Sequence, residues 1–60
     1  MDISMEKLNL LFLKLRTPLH YDYISKYIFE CSEEKTIIIL NKLIEEGVIE
    51  ETEKKGYYCI

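Results

Sequence analysis

The side chains best suited to bind another molecule lie along residues 32–46. Ser32 is a favourable helix N-cap, and a step of about 100° per residue from there defines the outer side of a helix. The outer side chains are those of Glu34, Lys35, Ile38, Asn41, Lys42 and Glu45. Lysine binds phosphate oxygens, asparagine pairs with the edge of adenine, and isoleucine contacts the thymine methyl group. The pattern predicts a surface able to contact DNA, while a solvated helix surface remains the alternative for Asn41.

Catalytic and metal-binding chemistry is not indicated. His20 is the only histidine, and neither Cys31 nor Cys59 has a Cys or His nearby at a spacing typical of metal ligands. We interpret both thiols as small reduced core residues and His20 as a substitute N-cap for the following helix. No nucleophile stands at a recognisable spacing from His20, and so small a domain offers little concavity for a substrate. We therefore expect no enzyme activity, no cofactor and no metal.

The helix of residues 32–46 also has a core face and a defined end. Its inner residues recur at the i, i+3, i+4, i+7 spacing: Thr36, Ile37, Leu40, Leu43 and Ile44, with Ile39 at the border. Gly47 can adopt the positive φ of a helix end. Residues 48–53 and 57–60 are rich in β-formers around the turn Lys54-Lys55-Gly56, which predicts a hairpin. Its tip lysines suit phosphate binding, and a solvated hairpin tip would carry the same residues.

Two helices are predicted in the N-terminal half. The first starts at a cap provided by Asp2 or Ser4 and runs to about Arg16, where Pro18 follows. Its core stripe is Met5, Leu8, Leu11, Phe12 and Leu15. The second covers about residues 21–29, with Lys26 exposed. Its predicted buried residues are Tyr21, Ile24 and Ile28, with Tyr27 as a further candidate.

Three apolar residues fall on the opposite side of the first helix: Ile3, Leu10 and Leu13. Single exposed leucines are normal on protein surfaces, which is the alternative interpretation. Three on one stripe favour a contact between two subunits.

The pattern S-x-x-x-T-x-x-x-L-x-x-L-x-x-x-G-V-I, over residues 32–49, resembles the recognition helix and the start of the wing in winged helix-turn-helix domains. The resemblance implies a mostly α-helical fold with three helices and a two- or three-stranded antiparallel sheet. It also implies a short first strand after Thr17-Pro18 that pairs with the wing, and dimerisation through the first helix. The turn 29–31 lacks glycine and is about one residue longer than the commoner pattern.

Size and charge constrain these expectations. Sixty residues, 48% hydrophobic and 32% charged, predict a single globular domain over 1–60. A chain this short buries only about 60% of its unfolded surface, so a partner subunit would help to stabilise it. The net charge of −3 and the pI of about 5.0 argue mildly against nucleic acid. No apolar run is long enough to span a membrane, and we expect a cytoplasmic protein.

Two functions follow from the sequence. The first is a small DNA-binding transcriptional regulator, acting as a homodimer through helix 32–46 and the wing 48–60. Its expected phosphate-binding lysines are Lys26, Lys35, Lys42, Lys54 and Lys55. The alternative is a winged-helix protein–protein interaction module that binds a partner through Ile38, Ile39 and their acidic rim, without DNA.

Overall fold

The first helix, α1, spans Met5–Lys14 in the computed structural model, which describes residues 3–60. Ser4 caps it, because its Oγ accepts a hydrogen bond from the Lys7 backbone N–H at 3.3 Å. Asp2, the other predicted cap, lies outside the described residues. Four of the five predicted core residues of α1 face inward: Leu8, Leu11, Phe12 and Leu15.

The prediction that Met5 belongs to the core is wrong, since its side chain is 70% exposed. Met5 and the fully buried Leu11 are six residues apart, and six steps of about 100° leave them about 120° apart around the helix. Ile3, which precedes α1, is partly buried and packs against the core at this end of the molecule.

A short strand and a second helix follow. Strand β1 is Leu19–His20, and helix α2 is Tyr21–Tyr23, which continues directly as a π-helix over Ile24–Phe29. We call α2 and the π-helix together the second helix. Its buried residues are Ile24, Ser25, Ile28 and Phe29, with Tyr21 partly buried. The suggested burial of Tyr27 is wrong: its ring is 67% exposed, because Ile24, Ile28 and Phe29 already fill the core side of this segment.

The unusual length of the turn is explained by the π-helix. The backbone N–H of Glu30 donates to the Ser25 carbonyl, five residues back, and the N–H of Cys31 donates to the same oxygen at 3.1 Å. Glu30 adopts the left-handed conformation with φ +55°, in a turn that has no glycine. Lys7 Nζ donates to the Phe29 carbonyl at 2.8 Å and lies 3.8 Å from the Glu30 carboxylate. The extra residue is therefore accommodated inside the second helix.

The third helix, α3, spans Glu33–Glu45. Ser32 Oγ accepts from the Lys35 backbone N–H at 3.1 Å, which confirms the predicted cap. Its buried residues are Thr36, Ile39, Leu40 and Leu43, and Ile37 and Ile44 are half-buried. Ile39, predicted at the border, thus belongs to the core. Gly47 has φ +77°, and two terminal hydrogen bonds, Gly47 N–H to Ile44 O and Val48 N–H to Leu43 O, close a Schellman motif.

The chain ends in a hairpin formed by β2, Glu50–Glu51, and β3, Tyr57–Cys59. The sheet is antiparallel in the order β1-β3-β2, with Tyr58 between Leu19 and Glu51. The predicted pairing of the first strand with the wing is confirmed. We call residues 48–60 the wing.

Three helices and a three-stranded antiparallel sheet therefore surround one core, which confirms the predicted fold class. The layout is consistent with a winged-helix architecture. No helix among residues 3–60 combines the length and apolar character needed to cross a membrane.

Candidate nucleic-acid interface

The outer face of α3 presents the side chains that the sequence assigns to it. All six of these residues are exposed: Glu34, Lys35, Ile38, Asn41, Lys42 and Glu45. Ile38 is 63% exposed and lies near the centre of this face. A large aliphatic side chain with so much of its surface in water is suited to contact another molecule, and it is the apolar centre of an otherwise polar surface.

The charges on this face are mixed. Lys35 and Lys42 lie seven residues apart on the same edge, which separates their backbones by about 10 Å along the helix axis. Asn41 and Glu34 lie on the other edge, and Glu45 follows near the C-terminal end. This arrangement offers two ammonium groups beside an apolar centre and an amide, with a carboxylate near each end.

A second acidic group lies at the start of α3. The exposed carboxyl group of Glu33 is beside that of Asp22 on α2, and a hydrogen bond between the two side chains is the main cause of a raised pKa at Glu33. Loss of hydration and the negative charge of Asp22 raise this pKa further, while Lys26 and His20 oppose the shift. Lys26 Nζ lies 3.8 Å from Asp22 Oδ1. The charge of Lys26 is therefore partly balanced within the protein.

The turn of the wing is held by side-chain hydrogen bonds. Thr52 Oγ1 accepts from the Lys54 N–H at 3.2 Å and donates to the Lys54 carbonyl at 3.1 Å. Glu51 Oε2 accepts from the Gly56 N–H at 2.8 Å. Lys54 and Lys55 are exposed at this turn, and Lys54 Nζ lies 4.6 Å from the centre of the Tyr57 ring. These hydrogen bonds hold the turn that carries both lysines.

His20 connects the wing to the second helix. Its Nδ1 accepts from the Asp22 backbone N–H at 3.1 Å, which confirms the predicted capping role. Its ring centre lies 4.1 Å from that of Tyr21 and 5.0 Å from that of Tyr57. The Tyr21 N–H also donates to the Gly56 carbonyl at 3.1 Å. The position of the wing tip relative to the helices therefore depends on contacts around one imidazole.

The residues predicted for subunit contact do not form one uniform stripe. Leu10 and Leu13 are 38% and 61% exposed on α1, whereas Ile3 packs partly against the core. Met5 is also exposed on this helix. The angle of about 120° between Met5 and Leu11 around the helix already indicated that Met5 is exposed.

Sequence reasoning did not predict that three tyrosines, Tyr23, Tyr27 and Tyr57, line one groove. Tyr23 and Tyr27 pack together on the second helix, with ring centres 5.0 Å apart and ring planes tilted by 46°, and Tyr57 lines the same groove from β3. The i, i+4 spacing of Tyr23 and Tyr27 was an available signal that both rings share a face.

Other reactive groups do not converge in the described part of the chain. Cys31 and Cys59 are half-buried free thiols, and Cys31 Sγ lies 3.2 Å from Thr36 Oγ1. Within residues 3–60, no group of three or more His, Cys, Asp or Glu side chains is arranged to hold a metal ion. The outer face of α3 and the wing tip are the surfaces that best fit the chemistry predicted from the sequence.

No protein-family model, curated protein or solved structure matches the chain. The geometry of residues 3–60 and the sequence are therefore the basis for assigning a function.

Proposed function

We propose that this protein binds duplex DNA through the outer face of α3 and the tip of the wing, as a small transcriptional regulator. The observation that carries the proposal is the exposed outer face of α3, in a layout consistent with a winged helix. A helix presented in this way fits the major groove, where base edges are distinguishable.

Each exposed group has a role in this proposal. Lys35 and Lys42 bind phosphates along one edge of the apolar centre, and Ile38 contacts a thymine methyl group. Asn41 pairs with an adenine edge. Lys54 and Lys55 bind the backbone beside the major groove, and the hydrogen-bonded turn supports this role because it holds the tip in one conformation.

Lys26 contributes less than Lys42 and Lys55. Its ammonium group faces Asp22, and a phosphate would have to compete with that carboxylate. The carboxylates of Asp22 and Glu33 would also repel a phosphate at this position. Direct contacts from α3 and the wing therefore carry most of the affinity.

The net charge of −3 limits the non-specific part of binding, because that part comes from lysines releasing counterions at phosphates. Non-specific binding should therefore need micromolar protein even at low salt, and a matching sequence should bind more tightly. A glutamate on α3 is compatible with binding to a matching sequence, since its carboxylate can accept a hydrogen bond from cytosine.

A homodimer would provide two copies of α3 for successive major grooves. The exposed Leu10 and Leu13 support a contact between α1 helices. Two α1 helices packed antiparallel about Leu10 would bring Glu6, four residues before it, opposite the partner's Lys14, four residues after it. Both the apolar surface and the charges are then complementary.

A titration of mixed-sequence duplex with the protein at about 50 mM salt tests the proposal. We expect binding at micromolar protein that weakens as salt is added. Absence of binding under these conditions would remove the electrostatic contribution and contradict DNA binding.

The exposure of Ile38 between Glu34 and Glu45 favours a second candidate, a protein-interaction module. In that case Ile38→Asp abolishes binding to the partner, while removal of the Lys42 charge or of the tip lysines has little effect.

A further inference from the structure

The second helix is capped by an imidazole ring. His20 Nδ1 accepts a hydrogen bond from the Asp22 backbone N–H at 3.1 Å, at the start of the helical segment that runs to Phe29. The usual N-cap residues, Ser, Thr, Asp and Asn, accept this bond through an oxygen. A ring nitrogen accepts only while it carries no proton, so this cap requires a neutral imidazole with its proton on Nε2. The cap of the second helix therefore depends on the charge of His20.

The same ring holds the turn of the wing against the second helix. The Gly56 backbone packs against the Nε2 edge of the ring, and the rings of Tyr21 and Tyr57 contact it as well. Between these groups, His20 is half-buried. The backbone hydrogen bond from Tyr21 N–H to the Gly56 carbonyl lies beside these contacts. One side chain therefore joins the cap of the second helix to the position of the wing turn.

Protonation of Nδ1 removes the basis of this cap. Histidine changes charge between about pH 5 and pH 8, and Nδ1 and Nε2 are both donors in the charged ring. Nδ1–H and the Asp22 N–H would then face each other as two donors at hydrogen-bond distance. The Asp22 N–H belongs to the first turn of the helix, where backbone N–H groups have no intrahelical acceptor. The charged ring therefore has to leave its position.

A place for the charged ring lies next to it. A groove of about 380 Å³ opens beside His20, and the partly exposed Asp22 carboxylate lines it as a possible acceptor for the imidazolium. The other titratable or charged groups around the ring come from four elements: Tyr21 and Lys26 on the second helix, Glu33 on α3, Glu51 on β2, which accepts from the Gly56 N–H, and Tyr57 on β3 with Lys54 over its ring. Both lysines oppose a charged ring and the carboxylates favour it.

We propose that His20 is a pH-sensitive switch between the second helix and the wing. The neutral ring caps the helix at Asp22 and packs against Gly56. The protonated ring releases the Asp22 N–H and turns into the groove towards the Asp22 carboxylate. The wing turn, which carries Lys54 and Lys55, then loses its side-chain contact with the second helix. This switch is a property of the fold and goes beyond the proposed binding of duplex DNA.

The experiment is an NMR titration of the ¹⁵N-labelled protein from about pH 8 to about pH 5. His20 is the only histidine in the chain, so its ring signals are unambiguous. We expect an unprotonated Nδ1 at high pH, and the amide signals of Asp22 and Gly56 should move with the same midpoint as the ring. NOE contacts between the ring and Gly56 should weaken across this transition. Amide signals that stay in place while the ring titrates would overturn the proposal.

His20→Asn separates the charge of the ring from the cap, because an asparagine oxygen caps a helix and does not titrate. Between about pH 8 and pH 5, the protection of the Asp22 amide from hydrogen exchange should fall about two- to thirtyfold in the wild-type protein. This factor corresponds to the loss of an N-cap. The same protection should stay constant in His20→Asn, and an equal loss in both proteins would overturn the proposal.

The nearby carboxyl groups require their own control. The pKa of Glu33 is raised, which brings its titration closer to the range of histidine. Glu33→Gln removes that carboxyl group and keeps the ring, so the Asp22 and Gly56 signals should still move with the ring. Loss of this movement in Glu33→Gln would assign the transition to Glu33 and contradict the switch. The measurements contain no DNA, so their result is independent of the proposed function of α3.

Discussion

Gly56 stands directly against His20: a β-carbon built on Gly56 would lie 2.9 Å from His20 Nε2 and 3.3 Å from a ring carbon of Tyr21. Gly56 also has φ +88°, a conformation that disfavours residues with a β-carbon. Two independent constraints therefore require glycine in the turn of the wing.

Gly56→Ala should lower the free energy of unfolding by about 1–3 kcal/mol and displace the wing from the second helix. Gly47→Ala is the matched control, because Gly47 also has positive φ but has no atoms within 4 Å of a built β-carbon. Denaturant unfolding of both variants measures the difference. If the Gly56 variant is as stable as the Gly47 variant, the His20 ring can move away from the added β-carbon without loss of stability.

Leu40→Ala should lower the free energy of unfolding by about 2–5 kcal/mol, because it leaves a cavity at a fully buried position. That is enough to unfold a domain of this size. Asn41→Ala, at the exposed neighbouring position, should change stability by less than about 0.5 kcal/mol. Thermal unfolding of the two variants compares them, and similar midpoints would mean that the buried face of α3 is misassigned.

Leu10→Glu or Leu13→Glu should convert the proposed dimer to a monomer, because each would place a carboxylate in the apolar contact between two α1 helices. Light scattering at matched concentration gives the mass. Thr17→Glu, at an exposed position beyond α1, is the control and should leave the mass unchanged. A monomeric wild-type protein at high concentration would refute the contact.

The carboxyl group of Glu33 should titrate with a pKa above its ordinary range, chiefly because of its hydrogen bond with Asp22. The folded protein then holds this proton more tightly than the unfolded chain does. The contribution therefore favours folding below about pH 4 and disappears as pH rises through the raised pKa. NMR titration of Glu33 measures the shift directly.

Two variants test its origin in opposite directions. Asp22→Asn should lower the pKa of Glu33, because it removes the carboxyl group that shares the hydrogen bond and its negative charge. Lys26→Ala should raise this pKa, because it removes the nearby positive charge. Shifts of the same sign in both variants would contradict the assigned causes.

Lys42→Ala, and the pair Lys54→Ala with Lys55→Ala, should weaken duplex binding similarly for all sequences. Removing one phosphate-binding lysine should flatten the slope of log affinity against log salt by about 0.9. Asn41→Ala should instead relax the preference at one base pair, at a cost of about 1–3 kcal/mol. Competition binding at several salt concentrations separates the two effects. A uniform weakening for Asn41→Ala would exclude base reading by this residue.

The parts of the fold that depend on local signals were predictable. The two ends of α3, at Ser32 and Gly47, could be predicted because a cap and a residue with positive φ each act within one turn of the helix. The outer face of α3 follows from its inner face, since both obey one periodicity.

Features created by contacts between distant segments were not predictable in the same way. The burial of Phe29 follows from the π-helix. The groove lined by Tyr23, Tyr27 and Tyr57 forms because β1 pairs with β3 and brings Tyr57 to the second helix. The periodicity of a single sequence does not encode that pairing.

The π-helix at Ile24–Phe29 has a consequence for how such a chain can change over time. A π-turn holds one residue more than an α-helical turn, so the positions after it are rotated by about 100° relative to a regular helix. Deletion of one residue here would leave both ends of the second helix in their places. An equivalent chain with a regular helix would thus be one residue shorter, and its buried positions would correspond to these only across a one-residue gap.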